Sequence, residues 1–254
     1  MILPRPQDAL HKAQMYRLLI NILDDNLLAR TLYFKGGTCA SLLGFLDRFS
    51  IDLDFDLSKN ANKNEIEKNL HRLFKKLDYS IKDESQRVLQ FFLKYPSKPQ
   101  QRNTLKLDIS DIPAKSNDYK PQYLKEIDRY AVCQTIETMF ANKLVALKER
   151  YEKNNSIAGR DIYDIHHFFT QGLTYKPKII EERRGIPCKK YLKELSDFVE
   201  EKITENVITQ DLNFLLPYEE FNRIRKTLKQ ETLVLLRDEI KSAKPSPAKT
   251  PLDK

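Results

Sequence analysis

The chain has 254 residues, 41% of them hydrophobic and 31% charged, which is enough to bury a full core and excludes a low-complexity or fibrous polymer. No stretch approaches the roughly 18 consecutive apolar residues that cross a bilayer. MILPRPQDAL also lacks the basic-then-apolar order of a secretory leader, so a cytoplasmic protein with no membrane role is expected. The net charge of +8 and the pI of about 9.2 favour a polyanionic partner. Cys39, Cys133 and Cys188 are odd in number and form no CxxC pair, so neither a disulfide framework nor a zinc site is indicated.

In chain order, apolar positions at helical spacing (Ala13, Tyr16, Leu19, Ile20, Leu23, Leu27) predict a helix over 9–28. Leu32-Tyr33-Phe34 reads as a short strand, and Gly36-Gly37 as a turn opening a helix over 38–43. Positions 50–57 alternate as a strand, and 62–77 carry a helical pattern. Further β-rich runs cover 79–82, 88–95 and 104–110, and a loop is expected over 113–121. Beyond about residue 132 only helices are predicted, over 137–151, 160–170, 190–205 and 218–241. The expected fold is α+β. A mixed β-sheet domain flanked by helices would occupy residues 1–135 and a helical bundle 136–243, with the site in the cleft between them. A Pro/Lys-rich tail over 244–254 is expected to be disordered.

The chemistry concentrates in Ile51-Asp52-Leu53-Asp54-Phe55-Asp56-Leu57. Strand alternation puts the apolar residues on one face and Asp52, Asp54 and Asp56 on the other. Aspartate is a poor strand former, and stacked carboxylates repel. A divalent cation would neutralise them, and magnesium takes oxygen ligands from carboxylates and substrate phosphates. An exposed acidic edge strand, or a cap-and-turn cluster, accounts equally well for a lone Asp-x-Asp. The glycine pair is what shifts the balance. Gly36 and Gly37 follow a strand and open a helix, where a backbone can approach a phosphate, and Lys35 adds a cation beside them. A third carboxylate, Asp108, lies on the polar face of 104–110 with Lys106 and Ser110. It would complete a two-ion site if its strand pairs near the first. Otherwise it is an exposed strand residue.

Phe34-Lys35-Gly36-Gly37-Thr38, followed by Arg48-Phe49-Ser50-Ile51-Asp52-Leu53-Asp54-Phe55, resembles the AbiEii/AbiGii toxin family within the DNA polymerase β-like nucleotidyltransferases. Asn142-Lys143-Leu144-Val145-Ala146-Leu147 is similar to the helix that carries an active-site lysine in that family. Gly159-Arg160-Asp161-Ile162-Tyr163-Asp164-Ile165 is similar to its RDxxD helix. The resemblance spans about residues 30 to 170. It implies transfer of a nucleoside monophosphate from an NTP to an acceptor, with Asp52, Asp54, Lys143 and Asp161 catalytic. It also implies Mg²⁺, as two ions, on Asp52 and Asp54, with Asp108 as the candidate third ligand. Lys35, Gly36, Gly37, Thr38, Arg48 and Ser50 would form the nucleotide-binding set. Taken as residues alone, Lys143 could be an ordinary snorkelling lysine, and Asp161 could simply pair with Lys143 or Arg160.

Relatives in that family are toxins of toxin–antitoxin or abortive-infection systems, and some add nucleotides to the tRNA 3′ end. RNA is therefore the expected acceptor and an antitoxin the expected partner. Basic groups that could follow an RNA backbone are Lys68, Arg72, Lys75 and Lys76 on one helix, Lys94, Lys98, Arg102 and Lys106, and Arg183, Arg184, Lys189 and Lys190 in a loop. Each could equally be solvated surface. The alternatives are a protein or small-molecule acceptor, or a non-catalytic nucleotide-binding module. A basic chain argues against the cationic small-molecule acceptors that want acidic walls.

Overall fold

The structure, a computed structural model, describes residues 1–99 and 101–242, so the tail expected over 244–254 lies outside the described residues. The chain is a mixed α/β fold with seven strands in one mixed sheet and eleven α-helices among the described residues. It divides into two compact units. The first comprises Met1–Met139 and Asn213–Phe221, and the second comprises Phe140–Leu212 with the chain from Asn222 onward. No helix among the described residues is long and apolar enough to cross a membrane.

In the first unit, the single N-terminal helix expected from periodicity is two helices, α1 (Ala9–Asp24) and α2 (Asn26–Thr31). Asp25 makes the break. Its backbone is extended, and its carboxylate accepts from the amides of Leu27 and Leu28, both at 2.9 Å, so it caps a new helix rather than continuing the old one. The chain then runs through β1 (Leu32–Lys35), α3 (Gly36–Leu42), β2 (Asp52–Leu57), α4 (Lys63–Lys76), β3 (Ser80–Glu84), β4 (Leu89–Lys94) and β5 (Thr104–Ser110). The loop expected over 113–121 gives way at its end to a hairpin of β6 (Tyr119–Leu124) and β7 (Arg129–Gln134). Pro121 disguised it, because proline lacks a ladder donor and is tolerated only at an edge or bulge. β6 is such an edge, since the sheet order is β3-β4-β5-β2-β1-β7-β6.

β2 therefore sits at the centre of the sheet, antiparallel to β1 and parallel to β5. Its apolar face (Leu53, Phe55, Leu57) joins Phe34, Leu107 and Phe91 beneath α1 and α4. Met15, Leu18, Leu19 and Ile22 of α1 are buried there, as are Ile66, Leu70 and Phe74 of α4. Phe74 meets Phe91 edge-on at 5.2 Å. The exposed basic side of α4 (Lys68, Arg72, Lys75, Lys76) thus lies across the sheet from the aspartate face.

The described elements of the second unit are all helical. α5 (Ile136–Asn154) begins just before the division, followed by α6 (Gly159–Thr170), α7 (Pro177–Arg184), α8 (Cys188–Lys202) and α9 (Glu205–Leu212). The helix expected over 218–241 is broken into α10 (Tyr218–Ile224) and α11 (Leu228–Ser242). α11 packs on α6 and α8, and α9 packs on α6. Arg183 and Arg184, expected in a loop, form the last turn of α7. There Arg183 binds Glu149 at 2.7 Å and Arg184 binds Glu152 at 2.7 and 2.8 Å.

One buried group in the first unit couples its stability to pH. His11 of α1 is 1% exposed. Its Nε2 donates to the Ile51 carbonyl at 2.9 Å, and its Nδ1 pairs with the Tyr95 hydroxyl at 2.6 Å. Burial, only partly opposed by the Ile51 carbonyl, pushes its pKa down from 6.5 to about 4. The folded state therefore resists a proton that the unfolded state accepts. The stabilisation is complete above pH 6.5 and is lost as pH falls toward 4. At 1.36 kcal/mol per pKa unit the loss is about 3 kcal/mol. In denaturant unfolding, His11→Gln should flatten the stability slope across that window relative to the parent chain.

Candidate active site

Strand pairing brings the acidic residues together. Asp54 of β2 lies directly beside Lys35 of β1 on one side and Asp108 of β5 on the other. Asp52 and Asp56 share its face two residues to either side. The three β2 carboxylates meet different fates.

Asp56, 1% exposed, is saturated by the protein. It accepts from Lys35 Nζ at 2.6 Å, Gln134 Nε2 at 2.6 Å and the Tyr119 hydroxyl at 2.8 Å. Lys35, expected at the nucleotide, is thus held in an ion pair. Asp108 Oδ2 likewise accepts from Lys106 at 2.5 Å and from Gln90 at 2.9 Å.

Asp54 is different. Among the described residues no group donates a hydrogen bond to it or pairs with it. Burial, then the charges of Asp52 and Asp108, raise its pKa from 3.8 to about 6 despite Lys35 and Lys106. It is a half-buried carboxylate crowded by like charge, with no counter-ion of its own.

The glycine pair is built around this group. Gly36 has φ +77, the left-handed region, and a Cβ there would fall 2.3 Å from Asp54 Oδ2. A Cβ on Gly37 would fall 2.8 Å from the Arg48 guanidinium and 3.0 Å from Ser50 Oγ. Thr38, Arg48 and Ser50, expected to touch nucleotide, are 0%, 2% and 7% exposed. Thr38 Oγ1 donates to the Asp52 carbonyl at 2.5 Å and lies 2.9 Å from the Ser50 hydroxyl, whose proton it can accept. Arg48 donates to the Phe49 carbonyl at 2.9 Å, and Ser41 donates to that of Arg48 at 2.9 Å. This buried polar network clips α3 to the entry of β2 and fixes Asp52 and Asp54 against the glycines.

The donor set of Asp52 and Asp54 suits a hard cation: carboxylate oxygens, one of them unpaired, beside a backbone cradle. A three-residue cluster is not assembled, since no trio of His, Cys, Asp or Glu among the described residues converges on one point. Asp108 is adjacent in register, but its carboxylate is turned to Lys106 and Gln90.

The second unit holds the other expected pair. Lys143 Nζ on α5 lies 2.9 Å from Asp161 Oδ1 and 3.0 Å from Asp164 Oδ2 on α6. Both aspartates are buried, at 1% and 0% exposure. Asp161 occupies the first turn of α6, where the helix dipole favours a carboxylate. Burial alone would raise its pKa, but Lys143 and Arg150 more than offset that and hold it below the usual range. Asp164 and Arg150 were not singled out from sequence as members of this cluster. The i,i+3 spacing of the two aspartates was the signal available for Asp164.

A central mixed sheet with a paired-aspartate strand beside a glycine turn defines a nucleotidyltransferase. Residues 17–234 match the family described as nucleotidyl transferase AbiEii toxin of type IV toxin–antitoxin systems, and the chain belongs to that family. In fold it is similar to JHP933 from Helicobacter pylori, with 24% identity, a TM-score of 0.56 and 94% of each chain covered. A second H. pylori structure aligns with 23% identity and a TM-score of 0.57, over 93% of this chain and 96% of its own. MenT4, a nucleotidyltransferase toxin from Mycobacterium tuberculosis, aligns more loosely, with 16% identity and a TM-score of 0.49 over 92% of this chain and 91% of its own. No curated protein matches in sequence.

Two substitutions test this architecture. Gly36→Ala should cost about 1–2 kcal/mol from the left-handed backbone alone, with a further loss from displacing Asp54, read by thermal denaturation. Lys143→Met leaves two buried carboxylates without their shared lysine and should destabilise by about 3–5 kcal/mol. Adding Asp164→Asn should recover part of that loss. A Lys143→Met chain as stable as the parent would show that the pair contributes nothing to the fold.

Proposed function

We propose that the protein transfers a nucleoside monophosphate from an NTP to RNA, with the 3′ end of tRNA as acceptor, and that it acts as the toxin of a toxin–antitoxin pair. The observation that carries the reading is Asp54, a carboxylate with no protein counter-ion, crowded by Asp52 and Asp108 and roofed by Gly36. Magnesium at Asp52 and Asp54 would supply neutralisation of phosphate charge and activation of the acceptor hydroxyl. A second ion would require Asp108 to give up Lys106 or Gln90.

The chain's own groups divide the remaining work. Asp52 and Asp54 bind and orient. Gly36 opens α3 beside Asp54, where a triphosphate would meet the backbone, and Gly37, buried against Arg48 and Ser50, keeps that turn tight. Thr38, Arg48 and Ser50 hold that turn in place from behind, which makes them positioning residues. Lys143 supplies positive charge for the phosphates, and Asp161 fixes its direction. The acceptor hydroxyl oxygen bonds to the α-phosphorus, the bond to pyrophosphate breaks, and the hydroxyl proton passes to solvent. A cytoplasmic site of action is consistent with both substrates, and the charge of +8 suits an RNA acceptor.

The test is incubation with each α-labelled NTP, Mg²⁺ and total tRNA. Label should appear on RNA, and Asp52→Asn or Asp54→Asn should reduce it at least about 100-fold, the scale lost when one electrostatic stabiliser is removed. Far-UV circular dichroism should be unchanged in both variants. Full activity in either would sink the metal assignment, and label on a protein instead of RNA would replace the acceptor.

A further inference from the structure

The sheet face that carries Asp54 continues beyond β1. Tyr119 of β6 and Gln134 of β7 both reach Asp56, at 2.8 and 2.6 Å, so alternate residues of those strands lie on that face. They are Pro121 and Tyr123 on β6, and Val132 and Tyr130 on β7, paired Pro121 with Val132 and Tyr123 with Tyr130. The residues between them on the inner face, Leu124, Ala131 and Cys133, are buried in the core.

The outer face of a solvated antiparallel pair normally carries polar groups. Here it carries apolar and aromatic ones. Tyr130 is 73% exposed and Tyr123 is 47% exposed. Their rings lie 5.2 Å apart, tilted at 43°. A contiguous exposed patch of this kind marks a binding surface.

Building on the nucleotidyl-transfer reading above, we propose that this tyrosine strip seats unpaired bases at the 3′ end of a single-stranded RNA acceptor. Tyrosine rings stack on any base, which suits an acceptor recognised by its single-stranded end rather than by its sequence. The strip shares its face with Asp54. Tyr123 lies three strand spacings from Asp54 across the sheet and four residues along it, about 14 Å by about 13 Å or ~19 Å in all, about six nucleotides at a stacked rise of ~3.4 Å.

The surrounding charge fits a polyanion. Lys125 at the end of β6 is exposed and has no ion-pair partner among the described residues. The nearby acids are occupied. Glu126 pairs with the N-terminal ammonium and with Lys12, and Asp128 accepts the Tyr123 hydroxyl at 2.7 Å. Pro121 also removes an amide from the middle of the edge strand, which disfavours a protein partner that would add a strand there. The basic side of α4 is a weaker candidate for the acceptor end, because it lies across the sheet from Asp54.

The experiment measures binding of a short fluorescein-labelled single-stranded RNA to the full chain by anisotropy, alongside label transfer. Combined Tyr123→Ala and Tyr130→Ala should weaken binding about tenfold or more, the scale of one or two lost base stacks. It should raise the KM for acceptor RNA while leaving the KM for NTP near that of the parent. Tyr130→Trp should bind as well as the parent. The chain has no tryptophan of its own, so its emission reports directly on stacking, and single-stranded RNA should quench it more than the same sequence in a duplex. If the parent binds and labels RNA but the double alanine variant binds equally well, the strip is not the seat. If that variant instead loses self-association with RNA binding unchanged, the occupant is a second copy and the proposal falls. If the parent neither binds nor labels RNA, the proposed acceptor itself is wrong, a failure distinct from the other two.

Discussion

Repulsion among carboxylates governs the first unit. β2 places three aspartates on one face, and β5 adds a fourth beside the middle one. At ~4–5 Å each like-charge contact costs on the order of a kcal/mol or more at a partly buried site. The fold answers locally. Lys35, Gln134 and Tyr119 absorb Asp56, and Lys106 with Gln90 absorbs Asp108. Asp54 is left over, and burial together with the unresolved repulsion from Asp52 and Asp108 raises its pKa. Every nearby feature serves that geometry: the glycine without a Cβ, the Thr38–Ser50 clip, and His11 holding the Ile51 carbonyl just ahead of the strand.

The second unit poses the same problem and resolves it internally. Asp161 and Asp164 are more deeply buried than Asp54, yet Lys143 touches both, and Arg150 stands 3.6 Å from Asp161. The depressed pKa of Asp161 and the raised pKa of Asp54 are opposite readings of one quantity, the balance between desolvation and local positive charge. A closed cluster of this kind holds a lysine in one orientation. An open one leaves a carboxylate without a protein counter-ion.

Much of the site was legible because its signals are local. Period-two alternation placed Asp52, Asp54 and Asp56 on one face, and the strand–glycine–helix order placed Gly36 and Gly37 beside them. What stayed hidden was long-range or masked. Nothing in the local pattern of Lys35 tells that Asp56 is its partner, since that depends on the antiparallel register of β1 with β2. The pairing of β5 with β2, which sets Asp108 next to Asp54, joins positions 54 residues apart in the chain and is posed from sequence only as a condition. The β6–β7 hairpin was concealed by Pro121, and the helix breaks at Asp25 and after Ile224 by apolar periodicity that runs through them. The burial of Thr38, Arg48 and Ser50 was also invisible, because a polar side chain near a phosphate turn looks the same whether it faces ligand or scaffold.

The contact between Gly36 and Asp54 has a bearing on how this chain can change over time. The space for the carboxylate is the space a methyl group at position 36 would fill, with 2.3 Å between them. The two positions are therefore mutually exclusive in volume. A descendant that gains a side chain at 36 must shorten, move or lose the acid at 54. A lineage that has already lost the acid is relieved of the steric half of the demand for glycine, while the backbone angle still favours it. Drift at these two sites should thus be ordered, with the aspartate released first and the glycine afterwards. A paralogue carrying glycine at 36 without an acid at 54 would be an enzyme caught early in its decay.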